Sequence, residues 1–141
     1  GMNHLVYLDA RAGELEKILS GVKTMLVKEC VSAQAAAQPL NPGDSLYFLR
    51  DREDCAVRVR ATIVRVEYYT GSVAGDLSTI LKVMQTRLQL TEDQYNYWSA
   101  RRQFALVAFR AAHKIVMIQV APEKITNRSD WIAFDKLSAI T

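Results

Sequence analysis

Cysteine and histidine are scarce in this chain of 141 residues, with two of each. Cys30 and Cys55 are too far apart for a paired-ligand motif. Together with His4 and His113 they supply too few soft ligands at any metal-binding spacing, so no metal and no cofactor are expected. Each cysteine adjoins a strand-like segment and reads as a small buried hydrophobe. Three prolines and six glycines are too few for a collagen-like or low-complexity chain. No apolar run approaches a membrane span before Arg, Lys or Gln interrupts it, so no membrane partner is expected. Residues 1–4 lack the basic and then apolar run of a signal peptide, and a cytoplasmic location is expected. Gly1 ahead of Met2 reads as a remnant of tag removal, leaving one domain over 2–141. Familiar catalytic motifs are missing as well. There is no GxSxG, no HExxH, and the loop Gly71-Ser72-Val73-Ala74-Gly75 lacks the Lys-Ser/Thr pair of a phosphate-binding loop.

What is present is globular. Half the residues are hydrophobic and 23% are charged, at a mass of 15.9 kDa. That is enough for one domain with one core. The net charge is +3 and the sequence pI is about 9.0. Such a balance permits a nucleic-acid partner without demanding one. Eleven of the eighteen basic residues are arginine, which favours recognition of phosphate or carboxylate.

Residues 4–8 (HLVYL) predict a short strand. Asp9 follows as an N-cap, Leu15, Ile18 and Leu19 have helical spacing, and Gly21 closes the helix. Residues 23–31 predict a second strand and residues 32–40 a surface loop. The turn Asn41-Pro42-Gly43-Asp44 opens a strand at 45–50, with Asp44 satisfying the turn. The clearest strand is 55–69, where Val57, Val59, Ala61 and Ile63 share a face. After Ile63-Val64 the phase flips, and Val64, Val66 and Tyr68 alternate with Arg65 and Glu67. Such a flip predicts a bulge or a sharp bend. Residues 76–88 fit an amphipathic helix. Thr91-Glu92-Asp93-Gln94 is a capping box that opens another, ending at about residue 101. Residues 103–109 and 115–120 predict two strands separated by a turn or bulge at 111–114, and residues 131–134 a last short one. About six strands and three helices in irregular order predict an α+β fold: a small bent mixed or antiparallel β-barrel with peripheral helices.

The most informative local pattern is a helix stopping at Gly21 beside a strand with two lysines. Lys23 and Lys28 are an odd number of positions apart, so a regular strand sends them to opposite faces. They converge only if Lys23 lies on the turn before the strand. Gly43-Asp44 then precedes an apolar strand, and Ala61, Ile63 or Val64, and Val66 follow on the next. On these residues the chain resembles the ASCH domain family, a PUA-like barrel named for homology to an activating signal cointegrator. The resemblance covers the first half of the chain in motifs and the second half in element order.

The resemblance implies an RNA- or nucleotide-binding domain, active in RNA metabolism or transcription coactivation and expected as a monomer. Its partner would be RNA or a modified nucleoside. Lys23 and Lys28 would contact phosphate or a base edge, and Arg58, Arg60 and Arg65 would extend a basic track. Tyr47, Tyr69, Tyr95, Tyr97 and Trp98 offer stacking faces. Affinity for RNA would fall steeply with salt. Some small bacterial relatives are amidohydrolases that deacetylate N4-acetylcytidine with a lysine, a threonine and a glutamate. In that alternative Lys23 is the lysine. The threonine position holds Leu26, so Thr24 serves only after a local register change, and no residue matches the glutamate. A third reading is a protein-interaction domain anchored by Tyr95, Tyr97 and Trp98. Plain structural roles stand beside these: Arg58 and Arg60 paired with Glu67, Asp51 or Asp54, Trp98 as a core anchor, Trp131 pinning the last strand.

Overall fold

The computed structural model describes residues 1–29, 39–125 and 131–141. Cys30, most of the 32–40 loop and residues 126–130 lie outside the described residues.

The elements run β1 (Asn3–Tyr7), α1 (Glu14–Leu19), β2 (Met25–Lys28), β3 (Ser45–Leu49), β4 (Ala56–Thr70), α2 (Ser78–Val83), α3 (Gln85–Leu88), α4 (Glu92–Ser99), β5 (Gln103–Gln119) and β6 (Ile132–Phe134). Single 3₁₀ turns cover Pro122–Lys124 and Leu137–Ala139. The strands form one sheet in the order β2-β5-β4-β3-β1-β6. Among the described residues only β1 and β3 run parallel. Among the described residues no ladder joins β2 to β6, so the α+β architecture holds while the sheet is bent and open rather than a hydrogen-bonded barrel. No described helix is long and apolar enough to cross a membrane.

The bend comes from irregular pairing between β4 and β5. Ile63 faces Phe109 and Arg65 faces Ala108, so Val64 is the extra residue of a bulge. This is where the apolar phase flips: Ile63 and Val66 pack on the same core although three residues apart. A second shift lies between Arg60 and Thr62, opposite Ala111, whose φ of 58° is left-handed without being glycine. The bulge bends the chain without ending the strand, which is why 103–109 and 115–120 are one strand rather than two.

Helix boundaries correct two expectations. Asp9 is not the N-cap of α1; its carboxylate takes the Arg11 N–H at 3.0 Å in a preceding turn. Gly13, with φ 64°, leads into the helix. The expected helix over 76–88 breaks at Met84 into α2 and α3, giving four helices rather than three among the described residues. Gly21 does close α1: its N–H and that of Val22 bond back to Ile18 O and Lys17 O, each at 3.1 Å. The capping box of α4 also forms, through Thr91 and Gln94.

The main core holds Val6, Phe48, Val59, Ile63, Val107 and Phe109. A second cluster forms on the other face of the β1–β3–β4 region, around Leu5, Leu49 and Ile140. A third lies under α2–α4 around Leu81, Leu88 and Phe104. Asp44 does more than satisfy its turn. It accepts the Asn41 N–H at 3.1 Å and also binds buried His4 Nε2 at 2.8 Å, tying β1 to the start of β3. Cys55 is half-buried rather than a core residue.

If the one-residue bulge sets the phase of β4, inserting an alanine after Val64 turns Arg65 and Glu67 toward the core and exposes Val66, whereas deleting Val64 leaves Ile63, Arg65 and Val66 in regular alternation with Val66 still inward. The insertion should cost at least about 3 kcal/mol by urea unfolding, the scale of burying unpaired charge. Val64→Thr should stay within about 0.5 kcal/mol, as befits an exposed side chain. A mild insertion phenotype would reject this account.

Candidate functional site

A cleft of about 800 Å³ opens beside the main core. Its floor is formed by Lys23 and Leu26–Glu29, and β1 contributes Val6 and Tyr7. Its walls come from the 9–14 turn, the 51–53 turn, α4 and Trp131.

At the floor, Lys23 is 1% exposed. Its Nζ lies 3.3 Å from Glu14 Oε2 and donates to the Leu88 carbonyl. That carbonyl is one of those left without an internal partner where α3 ends, and Lys17 donates to the next, Gln89 O, at 3.0 Å. Glu14 is itself fixed, since its Oε1 accepts the Asp9 N–H at 2.6 Å. Burial strips water from the Lys23 ammonium and lowers its pKa below the ordinary 10.5. Attraction and hydrogen bonding to Glu14 oppose the shift, and repulsion from Lys17 adds to it.

The walls are aromatic. Trp98 meets Tyr97 edge-on at 5.1 Å and Phe104 at 6.2 Å, so it anchors the helical core and also borders the cleft. Lys28 Nζ sits 5.7 Å from the ring centre of Trp131. Both tryptophans of the chain therefore line this one cleft. Its charge is not that of a phosphate track. Among the described residues Asp9, Glu14, Glu29, Asp51, Glu53 and Asp93 outnumber Arg11, Lys23, Lys28 and Arg52.

The structure brings Lys23 and Lys28 together, because β2 starts at Met25 and Lys23 lies on the turn before it. It does not bring Thr24 in. The Thr24 hydroxyl accepts from Arg87 Nε at 3.2 Å, and its backbone ties β2 to α3 and β5, outside the cleft lining. Leu26 does line the cleft but is 4% exposed and carries no nucleophile.

The proposed basic track does not join this site. Tyr47 lies on the opposite face, its ring 5.6 Å from that of Phe134. Arg60 stacks on Tyr47 at 5.7 Å and donates to Ser45 Oγ at 2.7 Å. Arg58 is exposed on β4. Arg65 is paired to Glu67 at 2.5 Å. Glu67 also takes the Tyr69 hydroxyl at 2.5 Å, and burial together with that bond raises the Tyr69 pKa to about 12. Sequence reasoning missed Glu14, whose only signal was its place after Gly13.

Between the lowered pKa of folded Lys23 and the ordinary 10.5, the unfolded chain holds the proton that the folded chain has lost. Stability routed through this lysine therefore rises with pH across that window. Urea unfolding of wild type minus Lys23→Met should climb as pH approaches 10.5. A difference that stays flat would mean the lysine titrates normally.

No protein-family model matches the sequence, and the comparison with curated proteins finds no match. Solved structures do match. The ASCH protein of Zymomonas mobilis superimposes over 95% of this chain and 88% of its own, with a TM-score of 0.68 at 17% identity. Two point variants of it give TM-scores of 0.69 at 16% and 17% identity, each over 96% of this chain and over 91% and 89% of theirs. At that identity the likeness is one of fold: this chain is built as the ASCH-domain protein of Zymomonas mobilis is built.

Proposed function

We propose that the protein binds a nucleobase in this cleft, carried by a modified nucleoside or by an unpaired RNA nucleotide. The observation that carries the reading is a buried, hydrogen-bonded ammonium at the foot of a cleft bordered by Trp98, Tyr97 and Trp131. Aromatic walls take the face of a base, and a fixed donor takes its edge. Stacking of this kind contributes about 1–3 kcal/mol per base. The acidic lining argues against recognition through phosphate, so salt should matter little inside the cleft. Arg58, Arg60 and Arg65 remain proposals for a separate contact with an RNA backbone, on surfaces away from the cleft.

The second reading is deacylation of an N4-acetylcytidine-like nucleoside. It is favoured by the Lys23–Glu14 pair at 3.3 Å within the cleft. Thr24 faces elsewhere and Leu26 cannot attack, so the nucleophile would be water. Glu14 would take its proton as the oxygen bonds to the acyl carbon, and Lys23 would donate to the acyl oxygen. Glu14 would return the proton to the N4 amine as the C–N bond breaks, leaving acetate and cytidine.

Both tryptophans border the cleft, so intrinsic fluorescence reports on it directly. Titration with uridine, cytidine, N4-acetylcytidine and a short single-stranded RNA should quench the signal. Trp98→Ala should weaken binding about tenfold or more, given the stacking energy above. Arg58→Ala/Arg65→Ala should leave nucleoside affinity unchanged. Acetate release lost in Glu14→Gln would select the hydrolase. Absence of quenching by every probe would overturn the binding reading.

A further inference from the structure

Gln94 also borders the cleft, half-buried on the first turn of α4. It is the N3 residue of the capping box. Its Oε1 accepts the Thr91 N–H at 3.0 Å, and its own backbone N–H donates to Thr91 Oγ1 at 3.2 Å. A backbone N–H can only donate. The amide oxygen must therefore face Thr91, and the amide nitrogen must point away from it. Among the described residues that nitrogen has no hydrogen-bond partner. The helix cap thus holds two N–H donors in a fixed orientation on a residue of the cleft wall, before any ligand arrives.

Lys23 presents the same polarity from the floor. Its ammonium has three protons, of which Glu14 and the Leu88 carbonyl take two. Donors on floor and wall select a ligand edge that carries acceptors. We propose that Gln94 is the specificity-determining residue of the cleft, donating from its amide nitrogen to a carbonyl oxygen on the edge of the bound base. The inference rests on the nucleobase reading above and names its class: bases that bear a carbonyl, such as uracil and cytosine, ahead of adenine, which has none. A site that supplies donors discriminates strongly against a ligand that leaves them unpaired.

Gln94→Glu separates this role from a structural one. Glutamate serves the capping box as well as glutamine does, so the unfolding midpoint should not move. The donor, however, becomes an acceptor. Tryptophan-fluorescence titration should show the Kd for uridine rising about tenfold or more, with the weaker binding of adenosine little changed. Asp93→Ala/Gln94→Glu restores the charge of the lining without adding a side-chain donor, and should remain as weak as the single variant. Wild-type affinity for uridine in Gln94→Glu, or recovery in the double variant, would overturn the assignment while leaving the cleft reading intact. Failure of every nucleoside to quench the wild type would overturn both.

Discussion

The arrangement depends on one buried ammonium. Taking a lysine out of water costs several kcal/mol, and that cost is offset only by well-placed partners. Lys23 has two, the Glu14 carboxylate and a carbonyl exposed where α3 stops. Each partner must itself be held. Glu14 is fixed by the Asp9 N–H. The end of α3 is fixed by Gln85, whose side chain both donates to Leu90 O and accepts its N–H. Lys23 reaches between them because Gly21 turns the chain out of α1 in a left-handed conformation. Two helices and the entry to β2 are thus positioned by the group that also forms the floor of the cleft.

The curved sheet supplies the rest. Bulges in the β4–β5 ladder let two long strands bend around the main core, and the cleft opens on the concave side where Val6, Leu8 and Leu26 belong to both core and lining. Tyr47 and Arg60 point to the convex side and pack against the second cluster. The same alternation that makes β4 easy to recognise carries its arginines away from the site.

Two local signals in the sequence carry over directly into the structure. The phase flip after Ile63-Val64 marks a real bulge, and Thr91 to Gln94 is a real capping box. The convergence of Lys23 and Lys28 required Lys23 to precede the strand, and it does. The partners of Lys23 were harder to see. A backbone carbonyl has no sequence signature, and Glu14 was hidden because Asp9 looked like the start of a helix that Gly13 begins. Trp131 joins the cleft from the far end of the chain, and no spacing rule reaches that distance. Residue type shows which strand face is polar; it does not show which side of a bent sheet becomes concave.

The position of β1 has a consequence for the order of assembly. This strand lies between β3 and β6, with Asn3 opposite both Ser45 and Phe134. A chain leaving the ribosome can pair β1 with β3 early, but the other edge of β1 stays open until residue 134 has emerged. Contacts of such long range form late, because loop closure precedes their reward. Trp131 immediately precedes β6 and arrives with it. The cleft is therefore among the last parts of the molecule to be completed, and a nascent chain stopped short of β6 would hold most of its core but no finished pocket.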